Sequence, residues 1–179
     1  MPRLRAGENG IDFTFDTPWE KEKRFLAENA GRRSIVFFLR YYGCTACQLE
    51  LHDLRREYHR FAATGAALYV VLQSEAETIR EQADARDIPF TLILDPRQKL
   101  YASFQIGSRD PGTERGREHL AKMLRAAELG LSHGKFEGNE YQLPAVFIFD
   151  EKNKVLLAHY GKETSDIPPY DDLLKILES

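Results

Sequence analysis

The stretch Ser34-Ile-Val-Phe-Phe-Leu-Arg-Tyr-Tyr-Gly43-Cys44-Thr45-Ala46-Cys47 decides how this chain is read. Its first half is an apolar, aromatic run with the character of a strand buried on both faces. A glycine breaks the run, and the Cys-x-x-Cys that follows opens a helical pattern. Cys44, Cys47, Leu51, Leu54, Tyr58 and Phe61 recur at spacings of three and four. Glu50, Asp53, Arg55, Arg56, Glu57 and Arg60 fall mostly elsewhere on the wheel, so the helix is amphipathic and its buried stripe begins with the thiols.

A dithiol at a helix N-terminus sits in partial positive charge, which favours thiolate. Residues i and i+3 of a helix have Cα atoms about 5 Å apart, within the window of a disulfide. Cys44, nearer the mouth by its place on the stripe, is expected to be the attacking thiolate. Cys47, one turn deeper, is expected to close the bridge and release the product. Thr45 and Ala46 put no charge between them. Arg40 is the nearest cation upstream, and the sequence does not fix its direction.

Outward from this stretch, the chain alternates strands and helices. Gly10 to Phe15 reads as an edge strand or hairpin arm. Thr17, Pro18 and Glu20 read as a capping box opening a helix to about Ala30. Ala67–Leu72 and Phe90–Leu94 are further strands. Between them Ser74 and Glu77 suggest a second capping box and a helix to about Arg86. Asp95-Pro96 closes the third strand, and a short helix carries Leu100, Tyr101 and Phe104. This βαβαβα rhythm belongs to a sheet with helical crossovers.

Residues 105–143 break the rhythm and read as an insertion. Within it, Thr113 to Leu129 suggests a helix with Leu120, Met123, Leu124 and Ala127 on one face, followed by a glycine-spotted linker. Ala145–Phe149 and Lys154–Tyr160 then form an antiparallel pair across Asp150–Asn153. Tyr170 to Leu177 is a terminal helix.

Composition narrows the function. The 179 residues suffice for one domain, 1–179, with a full core. The formal charge is −3 and no long basic run occurs, so nucleic acid is not an expected partner. No apolar stretch suggests a membrane span or, behind Met1-Pro2-Arg3, a signal peptide. With 2 cysteines the chain is no disulfide scaffold, and a Cys-x-x-Cys without a secretory signal reads as a cytoplasmic redox pair.

Three stretches together resemble the thioredoxin superfamily, and within it the peroxiredoxin-like redoxins of the alkyl hydroperoxide reductase/thiol-specific antioxidant family. They are Phe38 to Cys47 with its helix, Ile88 to Gly107 with its Asp95-Pro96 turn, and Gln142-Leu143-Pro144-Ala145 leading into Val146–Asp150. The resemblance implies an α/β thioredoxin-like fold, a central mixed sheet flanked by helices, with the helical insertion placed before a cis-proline strand. It implies that Leu143 and a cis Pro144 face the cysteines and hold substrate by strand-like hydrogen bonds. It implies an antioxidant oxidoreductase with a redox-active disulfide, a peroxide or protein disulfide as substrate, and an external thioredoxin-type dithiol donor. No cofactor is called for, and oligomer formation is left open. The chain departs from the peroxiredoxin pattern, which carries proline seven and Thr or Ser three residues before the peroxide-reducing cysteine. Those positions are Phe37 and Tyr41 before Cys44, and Arg40 and Cys44 before Cys47.

Other readings of the same residues are plainer. The cysteines could be small core residues, and the fold a non-catalytic binding module with the insertion as its partner surface. Structural zinc takes four ligands, but His52 lies about 140° around the helix from Cys47 and does not converge. His59, His119, His133 and His159 show no ligand spacing, so no metal is assigned; an iron–sulfur group shared across a dimer is the remaining metal alternative. Tyr41, Tyr42 and Trp19 read as core or rim. His52, His59, Arg115, Arg117 and Arg125 read as solvated.

Overall fold

The structure is a computed structural model that describes residues 2–179; Met1, the first residue of the expected domain, lies outside the described residues. Its centre is a five-stranded sheet built from β3 (Ser34–Phe38), β4 (Ala67–Leu72), β5 (Thr91–Leu94), β6 (Ala145–Phe149) and β7 (Val155–Tyr160). The order is β5-β4-β3-β6-β7. β3, β4 and β5 run parallel, and β6 and β7 are antiparallel to their neighbours. The sheet is therefore mixed, as expected.

Side-chain alternation divides the interior into two cores. Ile35, Phe37, Leu68, Val70, Val146 and Ile148 face one side, with Leu51, Leu54 and Phe61 of α2 (Thr45–Ala63) and Leu173, Leu174 and Leu177 of α6 (Tyr170–Glu178). Val36, Phe38, Tyr69, Val71, Phe147 and Phe149 face the other, with Phe25 of α1 (Phe25–Asn29) and Leu100 and Tyr101 of α4 (Lys99–Ser103). Both faces are covered, which is why the strands lack polar alternation. Among the described residues no helix is long and apolar enough to cross a membrane.

Local hydrogen bonding corrects several expectations. Thr17 does not open a helix. Its hydroxyl accepts the Trp19 and Glu20 amides, while its own amide donates to the Glu20 carbonyl. That closes a turn between β1 (Thr14–Phe15) and β2 (Lys23–Arg24), and helix begins only at Phe25. Thr and Ser oxygens serve turns as well as caps, and here the turn wins. Ser74 likewise caps nothing, because its hydroxyl accepts the Tyr42 amide at 2.8 Å. The helix after it, α3 (Ala76–Arg80), is short. A separate 3₁₀ turn at Ala85–Asp87 carries the reciprocal cap, made by Asp84 and Asp87.

Residues 105–143, expected to be an insertion, hold α5 (Arg117–Glu128), but not with the expected face inward. Leu120 is 61% and Leu124 59% exposed, whereas His119 and Ala126 are buried. Polar groups orient this helix. The Arg125 guanidinium grips the Asp53 carboxylate of α2 with bonds of 2.6 and 2.5 Å, and His119 is held by Arg115 and Thr164.

A further correction concerns Pro144. The Leu143–Pro144 bond is trans, and no cis peptide occurs among the described residues. The trans form is the intrinsically favoured one, and backbone bonds anchor it on both sides. The Leu143 amide donates to Gly107 O at 3.1 Å, and Pro144 O accepts the Gly161 amide at 2.9 Å.

Candidate active site

β3 delivers the dithiol. Its backbone continues through Leu39, whose amide donates to Val71 O, and then turns so that Cys44 becomes the N-cap of the 19-residue α2. The cap residue is extended, at φ −63° and ψ 127°, and its carbonyl accepts the Gln48 amide at 2.9 Å. Cys47 stands one turn in. Both cysteines are free thiols, and the Arg40 amide donates to Cys47 Sγ at 3.3 Å.

Neither sulfur is at a mouth. Cys44 is 1% and Cys47 4% exposed, so the expectation that Cys44 is the more exposed thiol is corrected. A strap formed by residues 131–142 crosses the turn that carries the cysteines. Its Gly134 amide donates to Gly43 O at 2.8 Å, and Gln48 Nε2 bonds both Gly43 O and Ser132 O. Gly43 is required here by close approach. A Cβ at this position would stand 2.4 Å from Lys135 O.

Buried polar groups pin the rest of the strap. The Tyr41 hydroxyl donates to the Glu140 carboxylate and meets His133 Nε2 at 2.9 Å. Arg40 donates to Glu140 O at 2.5 Å, and Gln73 accepts the Asn139 amide at 2.7 Å. Tyr41 is wholly buried, while Trp19 is 37% exposed at the surface.

Arg40 is the residue that sequence reasoning underweighted. It is buried with its guanidinium close to both cysteines. The Cys47 thiol hydrogen-bonds to Cys44, and this bond with the Arg40 charge outweighs burial, lowering the Cys44 thiol to about 6. Burial and the adjacent Cys44 push the Cys47 thiol well up. One thiolate and one protonated thiol side by side is the arrangement that a nucleophile and its resolving partner require. The available signal for Arg40 was a charge in a run otherwise fit for a central strand.

Glu50 was also misread. It is 8% exposed, lines the same cavity as Cys47, and accepts the Tyr170 hydroxyl at 2.6 Å. Burial raises its carboxyl, against the Tyr170 bond. Its position three residues after Cys47, on the thiol stripe, was the readable sign.

The cavity is small, about 20 Å³, the scale of a single water. Cys47, Arg40, Glu50 and Pro144 reach it, together with Lys122, Gln142 and Ser165. Cys44 is not among its lining residues. Pro144 therefore lies beside the dithiol. Leu143 does not offer free backbone groups, since its amide bonds Gly107 and its carbonyl accepts Gln142 Nε2 at 3.2 Å. Among the described residues no group of three His, Cys, Asp or Glu side chains is placed to hold a metal ion. His59 is exposed, and His52 is half-buried.

Comparison with known proteins assigns the family. The model of the AhpC/TSA family matches residues 6–158. The chain belongs to the AhpC/TSA family. No curated protein matches it in sequence. Among solved structures, peroxidoxin BcpB from Mycobacterium tuberculosis superposes with a TM-score of 0.70 at 16% identity, covering 98% of this chain and 97% of that one. A peroxiredoxin-like protein from Aquifex aeolicus gives 0.68 at 15% identity, over 99% and 88%. A thiol peroxidase from Chromobacterium violaceum gives 0.67 at 15% identity, over 99% and 88%. At these identities the likeness is one of fold, and the AhpC/TSA chain is thioredoxin-like in architecture, as its sequence suggested.

Proposed function

We propose that this AhpC/TSA family protein is a two-cysteine thiol oxidoreductase in which Cys44 attacks and Cys47 resolves. The observation that carries the reading is the placement of the pair, with Cys44 at the N-cap of α2 beside buried Arg40 and Cys47 one turn deeper, an asymmetry that lowers the Cys44 thiol to about 6 and pushes the Cys47 thiol up. Burial of both sulfurs behind the strap favours a small hydroperoxide over a protein disulfide.

In that reaction the Cys44 thiolate displaces an alkoxide from the hydroperoxide. Cys44 becomes a sulfenic acid and the alkoxide takes up a proton. The Cys47 thiol then attacks the sulfenic sulfur, loses its proton, and releases water as the disulfide forms. An external thioredoxin-type dithiol restores both thiols and is itself oxidised. With a small disulfide instead, Cys44 forms a mixed disulfide and Cys47 expels the second thiolate. We place this chemistry in the cytoplasm, a compartment that keeps thiols reduced.

The test is turnover of hydrogen peroxide and of a small organic disulfide with a thioredoxin-type donor. Cys44→Ser is expected to abolish turnover, and Cys47→Ser to accumulate the Cys44 adduct. Full activity in Cys44→Ser rejects the assignment. Burial of both sulfurs also favours a second reading, a binding module with an inert dithiol. Native protein that resists both oxidation and alkylation would select it.

A further inference from the structure

Around the dithiol, positive side chains are gathered with no Asp or Glu carboxylate within ion-pair distance among the described residues. Arg40 is buried against the cysteines, Lys122 is half-buried on the cavity wall, Arg109 is half-buried, and Arg115 stands at the exposed rim. Among the described residues none of these makes an ion pair. Arg40 donates to a carbonyl, Glu140 O, and Lys122 to another, Ser165 O at 2.7 Å. Arg109 donates to the carbonyls of Asp110 and Thr113 and lies 5.0 Å over the Tyr141 ring, and its buried Nε has no partner.

Arg115 donates to His119 Nε2 at 3.0 Å, which leaves His119 Nδ1 to donate to Thr164 Oγ1 at 3.1 Å. A neutral imidazole is thus held between Arg115 and the threonine. Burial and the charges of Arg115, Arg40, Arg109 and Lys122 all lower the His119 pKa. Arg115 in turn is lowered by burial, then by Arg109 and Arg40. These side chains therefore lie within electrostatic reach of one another, and their repulsion is a cost that the fold leaves standing.

The negative groups facing the cluster are few. Glu140 is occupied by the Tyr41 hydroxyl, Glu50 is held by Tyr170 with its carboxyl raised by burial against the pull of Lys122, Cys44 supplies the thiolate beside Arg40, and the Glu163 carboxylate lies beside Gly116, next to Arg115 in the chain. One more observation points to a ligand. Ser165 is 4% exposed and lines the cavity beside Arg40 and Lys122, and its buried hydroxyl has no hydrogen-bond partner. A buried hydroxyl without a partner is a rare and costly feature.

We propose that Arg115, Arg109, Lys122 and Arg40 form an anion-binding entrance to the dithiol, and that the small molecule reduced there carries a carboxylate. The carboxylate would sit at the mouth of the cavity near Arg115 and Lys122, and a water, which the cavity is sized to hold, would link it to the buried Ser165 hydroxyl. The substrate assignment rests on Cys44 and Cys47 being redox-active; the anion site itself does not. Converging unpaired cations at a cleft also raise the local concentration of an anionic reactant.

Alkylation tests this directly. Iodoacetate and iodoacetamide both transfer a two-carbon group to a thiolate sulfur with loss of iodide, and differ in charge. On reduced protein at low salt, iodoacetate is expected to react about tenfold faster than iodoacetamide, relative to the same pair of rates on a free peptide thiol. The excess should collapse at high salt and fall severalfold in Arg115→Gln/Lys122→Gln. Because the readout is a ratio, a change in thiolate population cancels. A ratio equal to that of the peptide thiol, or one indifferent to salt and to the double variant, overturns the proposal.

If neither reagent reacts, and hydrogen peroxide does not oxidise the pair, the redox reading fails; in either case equilibrium binding then decides the anion site. Propionate, compared with propionamide, is titrated into Cys44→Ser and followed by amide chemical shifts. Saturable shifts near residues 40, 115, 122 and 165 with propionate alone support the site. Their absence, or equal shifts with both probes, overturns it.

Discussion

The β3–α2 segment and the 131–142 strap meet at Gly43 and are held by different forces. The first is held by apolar packing. Ile35, Val36, Phe37 and Phe38 are wholly buried, and Leu51, Leu54 and Phe61 of the helix pack on the face of Ile35 and Phe37. Its geometry follows from the apolar pattern of its residues. The strap is mostly exposed, and Phe136 on it is 66% so. It is fixed by hydrogen bonds that Tyr41, Arg40 and Gln48 donate to its backbone and to Glu140, and by one that Gln73 accepts from the Asn139 amide. Packing therefore places the sulfurs, and a few polar contacts decide whether anything reaches them. Segments with little apolar burial open at lower cost than the core, so access to the dithiol can change while the fold stays intact.

The largest expected effect comes from breaking the first region. Phe38→Ala, which empties a site ringed by Tyr101, Phe104 and Phe147, is expected to cost about 3–5 kcal/mol in denaturant unfolding. Next is the charge that joins the two regions. Arg40→Gln removes the cation beside Cys44, so the thiol should rise toward its ordinary value. Each unit of that rise cuts the thiolate fraction below the new pKa by about tenfold.

The wild-type rate of Cys44 alkylation should climb as pH rises through about 6 and then level off. The sign follows from the lowered pKa. The charged form is the reactive one, so reactivity is present above that pH and lost below it. Cys47→Ala, which deletes the hydrogen bond to the thiolate, should move the inflection upward.

Gly43→Ala probes the strap alone. With the new methyl 2.4 Å from Lys135 O, the strap is expected to give way, because overpacking otherwise costs about 1–3 kcal/mol. Limited proteolysis should then cut within 131–142 and Cys44 alkylation should accelerate severalfold, while the denaturation midpoint moves little. A midpoint that falls as far as in Phe38→Ala would show that the strap is part of the core. The smallest effect is expected at Leu120→Gln/Leu124→Gln, within about 0.5 kcal/mol, since both side chains already stand in solvent.

What could be read in advance follows the same division. The apolar strand runs, the antiparallel pairing of β6 with β7 and the spacing of the thiols on α2 were legible, because burial writes period 2 or period 3.6 into the residues and a short turn joins the last two strands. Thr17 and Ser74 were misjudged because a hydroxyl accepts equally well from a turn amide or from a distant one such as that of Tyr42. α5 was turned the wrong way because the Asp53–Arg125 pair and the His119 network outweigh its leucines.

The sequence by itself determined that two thiols would stand one turn apart at the head of a helix behind a central strand. That is a local fact, carried by hydrophobic spacing and a single glycine. Only the tertiary structure decided that Arg40 turns inward to set which sulfur is ionised, and that a strap from ninety residues downstream closes over both. Charges and hydrogen bonds between distant segments depend on distance in space, and spacing along a chain does not encode it.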